Sequence, residues 1–462
     1  MRKVKVGLLP LYIKLYDDAN PSMRIRIDAF RDAIIDELTK RGLEVVAAPV
    51  CRIEPEFEEA VSNFEKNDVD AIVTLHLAYS PSLESSDILA KTKLPIIVLD
   101  TTPTFNFSPS QQTEEISYNH GIHGVQDMCN LLIRNNKPFF IEAGHWEKSD
   151  VLDRVVKCAK AAVIAKNMKK ARVGKIGGDF KGMGDFTVPV DILKSTIGME
   201  VVFFNPEKDS VYFNNISDEE IEKEMQEDLV RFDAGNINKE TLKNSIVTGL
   251  GVRKWIEKEG LTAFTVNFLN IDKKSGLPTV PFLEASKALA RGIGYAGEGD
   301  VLTAALVGSL LSVFPETSFT EMFCPDWENN SVFLSHMGET NINLMAEKPI
   351  LVEHPFPYTD ANKPAVAQGR FKEGEATFVD LAPGPNNTYS LIISKGEMLG
   401  VEGEDKMKNS IHGWFKPSMS VADFLASYSK VGGTHHAALV YGDVIKELKC
   451  FGELMGWKVL EI

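Results

Sequence analysis

The stretch KVKVGLLPLYIKLYDDANPSMRIRIDAFRDAIIDELTKRGLEVVAAPV (residues 3–50) holds two apolar segments on either side of a segment with helical spacing. The first apolar segment, Lys3–Leu9, predicts a strand, residues 21–42 predict a helix, and residues 43–50 predict a second strand. A strand, a helix and a strand in this order favour parallel pairing, because parallel strands need a long crossover between them. The stretch therefore predicts an α/β sheet that is covered on both faces.

The alternation of strands and helices continues through the first and middle thirds of the chain and changes after about residue 325. From there, short segments rich in Val, Ile, Phe and Thr are interrupted by Gly, Pro and Asn, which predicts antiparallel strands. We expect N-terminal and central Rossmann-like α/β domains, followed by a largely antiparallel β domain with terminal helices. The predicted boundaries are 1–168, 169–318 and 319–462.

Charge and composition exclude several classes of protein. The chain of 462 residues carries a formal net charge of −15, which argues against contact with nucleic acid and against docking on an anionic membrane. No apolar run has the length of a transmembrane helix, and the N-terminal segment lacks the apolar core of a secretory signal. The five cysteines are widely spaced and form no CxxC pair, which is typical of reduced thiols. We therefore expect a cytoplasmic protein.

The segment GYAGEGDVLTAAL (residues 294–306) places two carboxylates among glycines, directly before an apolar helical stretch. Asp300 stands in the position of an N-cap, where its side chain would accept hydrogen bonds from free backbone N–H groups. Glu298 lies two residues earlier, where capping does not explain it. Glu298 is therefore a candidate for chemistry.

Further candidates follow along the chain. Glu321 lies in TSFTEMF and His336 lies in LSHMGE. The pair His435 and His436 follows two glycines in GGTHHA, and these glycines let the backbone approach a ligand while the imidazoles point at it. From spacing alone these residues are candidates for a metal site, and a hydrogen-bonding surface role is the alternative for each histidine.

The same motifs belong to a longer pattern. The segment LPTVPFLEASKALARGIGYAGEGDVLTAALVGSLL (residues 277–311) resembles the corresponding segment of L-arabinose isomerases and their L-fucose isomerase-like relatives. TSFTEMF, LSHMGE and GGTHHA follow it in the family's order, and HLAYSPS, TFNF, YNHGIHG and GHW precede it. The resemblance extends from about residue 5 to about residue 440. It implies an enzyme of carbohydrate metabolism that interconverts an aldose and its ketose through a cis-enediol.

The resemblance implies a metal centre. The implied ligands are Glu298, Glu321, His336 and His436. The implied cation is Mn²⁺, with Co²⁺ or Mg²⁺ as alternatives, and carboxylates with imidazoles suit such cations. Glu298 and Glu321 are also the implied catalytic pair: one carboxylate removes the carbon-bound proton, and the other is suited to move the hydroxyl proton. Which glutamate acts as the base stays open.

The resemblance also implies contacts to a monosaccharide. The residues implied to bind the substrate are Leu11, Tyr12, His120, His123, Phe268 and His435. Leu9 and His120 stand where L-arabinose isomerases have glutamine, and a site that hydrogen-bonds a sugar hydroxyl discriminates sharply, so the sugar stays open. The family further implies a homotrimer or homohexamer with sites at subunit interfaces.

Two alternatives remain open. A relative that isomerises or epimerises another sugar, such as L-fucose or D-arabinose, fits the same motifs. A non-catalytic sugar-binding protein is the alternative from a different class, since the first predicted domain has the α/β layout of periplasmic binding proteins. The presence of both glutamates argues against it, because binding alone does not need both of them.

Overall fold

The computed structural model describes residues 2–235 and 237–462, and the chain forms two compact units. The first unit runs to Lys166 and resumes at Lys446–Leu454. The second unit comprises Asn167–Ile445 and Met455–Ile462. The predicted central and C-terminal domains lie in the same compact unit. The boundary between residues 318 and 319 therefore stays a prediction.

The first unit is a parallel α/β sheet. Its strands are β1 (Lys5–Leu11), β2 (Glu44–Ala47), β3 (Ala71–His76), β4 (Ile96–Asp100) and β5 (Phe139–Ala143), in the order β2-β1-β3-β4-β5. Its helices are α1 (Lys14–Ala19), α2 (Met23–Lys40), α3 (Glu54–Lys66), α4 (Ser86–Lys91), α5 (Glu115–Asn119), α6 (Gly121–Arg134) and most of α7 (Val151–Lys169). Neighbouring strands are parallel throughout this sheet, as the alternation in residues 3–50 predicts.

The first strand is displaced by two residues from its predicted position. The first strand, predicted at Lys3–Leu9, begins later and continues through Pro10 to the end of β1. Proline is unusual inside a strand because it has no N–H donor. Here its carbonyl accepts a hydrogen bond from the Cys51 backbone at 2.9 Å, which holds the strand in place.

The second unit combines a parallel sheet with a largely antiparallel one. The parallel sheet has the order β7-β6-β8-β9 and contains β6 (Arg172–Ile176), β7 (Glu200–Phe203), β8 (Ala263–Val266) and β9 (Gly294–Gly297). The other sheet contains β10 (Thr317–Asp326), β11 (Ser331–Ser335), β12 (Ile350–Glu353), β13 (Ala365–Arg370), β14 (Gly374–Pro383), β15 (Tyr389–Met398), β16 (Ile411–Pro417), β17 (His436–Tyr441) and β18 (Lys458–Glu461).

The order of the larger sheet is β12-β13-β16-β11-β10-β17-β14-β15-β18. An additional pairing of β15 with β16 closes the strands between them into a ring. The pairs β13–β16 and β15–β18 are parallel, and the other pairs are antiparallel. The predicted fold class, α/β with a largely antiparallel C-terminal part, is confirmed.

Helices complete the second unit and return the chain to the first. They are α8 (Val190–Thr196), α9 (Pro206–Asp209), α10 (Val211–Asn214), α11 (Asp218–Arg231), α12 (Lys239–Glu259), α13 (Phe282–Ala290), α14 (Val301–Leu311), α15 (Val421–Lys430) and α16 (Ile445–Met455). Most of α16 belongs to the first unit. There Cys450 Sγ lies 3.3 Å from Cys158 Sγ on α7, and Lys446 Nζ lies 2.6 Å from Glu142 Oε1 on β5.

Helix α14 is mostly apolar, and each of its residues is buried. It contacts β8 and β9 of the parallel sheet and also β10 and β17 of the larger sheet. A helix enclosed in this way has no solvent face, so it needs no polar stripe. Its N-terminus is thereby fixed beside β17. Across residues 2–235 and 237–462, no helix is both long and apolar enough to cross a membrane.

We expect Leu306→Ala, in the centre of α14, to lower the free energy of unfolding by about 2–5 kcal/mol, because a fully buried leucine leaves a cavity between the sheets. Leu229→Ala on α11 is the matched control, since that side chain is 50% exposed. Differential scanning calorimetry of both variants measures the difference. Equal transition temperatures for the two variants would contradict the enclosed position of α14.

Candidate metal centre

The pairing of three strands brings predicted site residues together. Glu321 on β10 lies opposite His436, the first residue of β17, and opposite Ser335 at the end of β11. Directly opposed residues have Cβ atoms about 5 Å apart, so strand pairing alone places Glu321 beside His436. His336 follows Ser335, and its Nε2 atom lies 3.2 Å from Glu321 Oε1. The Glu321 carboxylate therefore lies between two imidazoles.

Glu298 reaches the same place from the turn between β9 and α14. Its φ of 62° is a left-handed conformation that is uncommon for residues other than glycine. The next residue, Gly299, has a φ of 85°, and a Cβ atom there would lie 2.7 Å from the Gly178 carbonyl oxygen. Strained backbone of this kind is concentrated at functional sites.

The atoms that could bind a cation form one cluster. One ligand atom from each of four residues fits within a mutual distance of 4.8 Å: Glu298, Glu321, His435 and His436. His436 Nε2 lies 3.0 Å from Glu321 Oε1 and 3.5 Å from Glu298 Oε2. His336 joins the cluster through Glu321. The four ligands implied by the resemblance are therefore neighbours, and His435 lies among them.

The surroundings of His436 fit a bound cation. Its side chain is fully buried, and among the described residues its Nε2 atom has no hydrogen-bond partner, although Glu321 is close. A buried nitrogen without a partner is costly unless a ligand satisfies it. Two carboxylates with imidazole nitrogens form a donor set that suits a dication such as Mn²⁺ or Co²⁺.

Carboxylates behind the imidazoles orient them. Asp300 Oδ2 lies 2.9 Å from His436 Nδ1, and Glu339 Oε2 lies 2.7 Å from His336 Nδ1. In each pair Nδ1–H donates to the carboxylate, so Nε2 faces the cluster. Asp300 is also the N-cap of α14, as predicted, because it accepts a hydrogen bond from the Thr303 N–H at 2.9 Å.

The sequence prediction does not include two of the carboxylates that hydrogen-bond the imidazoles, Glu339 and Asp185. Glu339 lies three residues after His336 in LSHMGE, and this spacing is a local signal that could have identified it. Asp185 lies 250 positions before His435 and accepts hydrogen bonds from its Nδ1 and its backbone N–H, at 2.7 and 2.9 Å. No pattern around Asp185 marks it in the sequence.

Two family models match adjacent parts of the chain. The L-arabinose isomerase central domain matches residues 193–314, and the L-arabinose isomerase C-terminal domain matches residues 316–458. Together they cover more than half of the chain and all the candidate ligands. The chain belongs to the L-arabinose isomerase family.

Curated members of the L-arabinose isomerase family resemble most of this chain. The L-arabinose isomerase of Levilactobacillus brevis is 24% identical over 417 residues, which is 86% of either chain. The L-arabinose isomerase of Herpetosiphon aurantiacus is 24% identical over 93% of this chain and 87% of its own. L-arabinose isomerase 2 of Bacillus licheniformis is 26% identical over 71% of either chain.

A solved structure with partial likeness is the periplasmic binding protein component of the arabinose ABC transporter from Shewanella sp. ANA-3. It covers 67% of this chain and 84% of its own, at 14% identity. The TM-score is 0.17, which is too low to bear on the fold or the function.

The substrate-binding residues implied by the L-arabinose isomerase resemblance lie in both units. Leu11 and Tyr12 are fully buried in the first unit. His120 and His123 lie there as well, with His120 Nε2 at 2.9 Å from His123 Nδ1. Phe268 is buried in an aromatic cluster of the second unit, whereas His435 lies among the candidate ligands. The substrate-binding role of each stays a prediction.

The electrostatics of the cluster favour protonated imidazoles beside ionised carboxylates. Burial opposes the charged form of His336, but Glu339 and Glu321 outweigh it and raise the His336 pKa to about 10. Burial also opposes ionisation of Glu298, but the two histidines beside it outweigh burial and lower the Glu298 pKa to about 2. A divalent cation competes with these protons for the same nitrogen atoms.

We expect Mn²⁺ binding at pH 7 to release about one to two protons, because a metal ligand must be a neutral imidazole. The apparent affinity should rise with pH, since His336 keeps its proton below its raised pKa of about 10. Isothermal titration calorimetry in buffers of different ionisation enthalpy counts the released protons. A binding heat that does not depend on the buffer would contradict the imidazole ligands.

Asp300→Asn separates capping from the orientation of His436. Asparagine keeps an acceptor for the Thr303 N–H, but it removes the negative charge beside His436 Nδ1. We expect the Mn²⁺ affinity to fall about 10–100-fold, as measured by calorimetric titration. Asp423→Asn on α15, where the native side chain bonds Ser420, is the control and should bind Mn²⁺ normally. Normal Mn²⁺ binding by Asp300→Asn would mean that Asp300 acts only as the N-cap of α14 and does not orient His436.

Proposed function

We propose that the clustered carboxylates and imidazoles hold a divalent cation and isomerise an aldose to its ketose. The proposed ligands are Glu298, Glu321, His336 and His436, and the proposed cation is Mn²⁺, with Co²⁺ or Mg²⁺ as alternatives. The observation that carries the proposal is the cross-strand pairing of Glu321 with His436. Membership of the L-arabinose isomerase family supports the same class of reaction.

The reaction moves two protons in the open-chain sugar, one from C2 to C1 and one from O2 to O1. The proton on C2 is too weakly acidic to leave without help. A bound divalent cation would supply the positive charge that stabilises the negative charge developing on the two oxygens. The remaining work falls to side chains that accept and return protons.

Glu298 and Glu321 are suited to the carbon-bound proton. Burial opposes their ionisation, but the adjacent imidazoles outweigh it and lower the pKa of each carboxylate. An ionised carboxylate can accept the proton from C2 and return it to C1. The proposal therefore assigns the acid–base role for carbon to this pair.

The proposed substrate is a monosaccharide in its aldose form. The curated relatives are named L-arabinose isomerases, so L-arabinose is the first candidate substrate. In this chain Leu9 is fully buried, and the ring nitrogens of His120 contact Tyr16 and His123 at 3.3 and 2.9 Å. Because neither position offers an amide to a sugar hydroxyl, an isomerase for another aldose, such as L-fucose or D-arabinose, is the second candidate.

Two further expectations from the sequence stay predictions. They are a cytoplasmic location and a homotrimer or homohexamer with sites at subunit interfaces. Sedimentation velocity of the purified chain measures the oligomer directly.

A panel of aldoses in D₂O with Mn²⁺ tests the proposed reaction. We expect at least one aldose to form its ketose and to gain deuterium at carbon, which NMR detects. Glu298→Gln and Glu321→Gln should each lower kcat by at least about 100-fold, because each removes a carboxylate of the acid–base pair.

Glu328→Gln is the matched control, since Glu328 is exposed in the turn between β10 and β11. It should retain the activity of the unaltered chain. If no aldose exchanges deuterium or forms a ketose, the proposal fails in favour of a non-catalytic sugar-binding protein.

A further inference from the structure

The loop that follows β6 passes beside the candidate ligands and is held at both ends. We call residues 177–189 the strap. At its start, the side chains of Asn267 and Asn270 donate hydrogen bonds to strap carbonyls, at 2.8 and 2.6 Å. Near its end, the buried Phe186 ring stacks on His436 with a centroid distance of 4.8 Å. The strap is therefore part of the centre and not a free surface loop.

One carboxylate oxygen of the strap fixes His435. Asp185 Oδ2 accepts a hydrogen bond from the His435 backbone N–H at 2.9 Å and another from His435 Nδ1 at 2.7 Å. Two bonds from one residue to one oxygen restrict the rotation of the imidazole. They also place the Nδ1 proton against Asp185, so Nε2 is the nitrogen left for other partners. Nε2 lies 3.6 Å from Glu298 Oε2.

His435 differs from the other imidazoles of the centre in its exposure. Its side chain is 39% exposed, whereas those of His336 and His436 are 4% and 0% exposed. The two buried imidazoles have almost no contact with solvent. The group that moves the hydroxyl proton must contact the sugar, and His435 is the imidazole of these three that an entering sugar can reach.

We propose that His435 carries the hydroxyl proton of the sugar between O2 and O1, and that Asp185 is the positioning residue that aims it. This inference rests on the proposed function. In the aldose-to-ketose direction, the Nε2–H of the protonated imidazole gives its proton to O1 while a glutamate accepts the C2 proton. Nε2 then takes the O2 proton, and the glutamate returns its proton to C1. Both side chains end as they began, so the step needs no co-reactant.

We expect Asp185→Ala to lower kcat about 10–100-fold while KM and the Mn²⁺ dissociation constant stay within about threefold. His435→Gln should lower kcat at least as much. The double variant should be no slower than His435→Gln alone, because Asp185 acts through His435. Asp185→Glu should restore part of the rate. Asp191→Ala, at an exposed position of α8, is the control and should retain full activity.

Three results would overturn the assignment. A Mn²⁺ dissociation constant raised tenfold or more in His435→Gln, as we expect for His436→Gln, would make His435 a metal ligand. Multiplication of the two single effects in the double variant would show that Asp185 acts independently. If the wild type is active and Asp185→Ala has an unchanged kcat, Asp185 does not position His435, whereas the proton-carrying role of His435 still stands.

Nitrogen-15 NMR of histidine-labelled protein separates this inference from the proposed function. At a pH high enough that His435 carries a single proton, we expect that proton on Nδ1 in the wild type, and in Asp185→Ala we expect the two ring nitrogens to share it. If the wild type forms no ketose from any aldose, the proposed function and the proton-carrying role of His435 both fail. The spectra then still decide whether Asp185 aims the imidazole.

Discussion

The pairing of β10 with β17 is the contact on which the candidate centre depends. It sets Glu321 opposite His436, and a slip of one residue would turn one of the two side chains to the other face of the sheet. The irregularity in β10 comes after Glu321, in its pairing with β11, so it leaves the decisive pair undisturbed. The strand can therefore bend towards its exposed end without moving the carboxylate.

Helix α14 links the paired strands β10 and β17 to the rest of the second unit. Because it is enclosed by strands of both sheets, its N-terminus has little freedom to move. Asp300 at that N-terminus bonds His436, and the turn before it presents Glu298. A side chain from the end of the parallel sheet thus meets side chains from the antiparallel sheet. The strained backbone of Glu298 is held by this packing, since the helix and the strap fix the turn on two sides.

The sequence predicts the parts of this arrangement that depend on neighbours along the chain. The alternation in residues 3–50 predicts the parallel sheet, and the position of Asp300 before an apolar run predicts its cap, because both follow from local periodicity and local hydrogen bonding. The contact of Asp300 with His436 spans 136 positions and follows from tertiary packing. Family motifs identified the carboxylates and imidazoles, whereas spacing alone left them as candidates. Asp185 has neither signal, since its partner lies 250 positions away and its loop has no periodic pattern.

The return of α16 to the first unit has a consequence for synthesis. A ribosome makes the chain from the N-terminus, so the first unit waits for Lys446–Leu454 until all of Asn167–Ile445 has emerged. Until then, the surface around Cys158 lacks the helix that covers it. Folding therefore cannot proceed strictly one unit after the other, in contrast to chains whose N-terminal domain folds first. The first unit is therefore started first but is completed only when Leu454, close to the end of the chain, has been made.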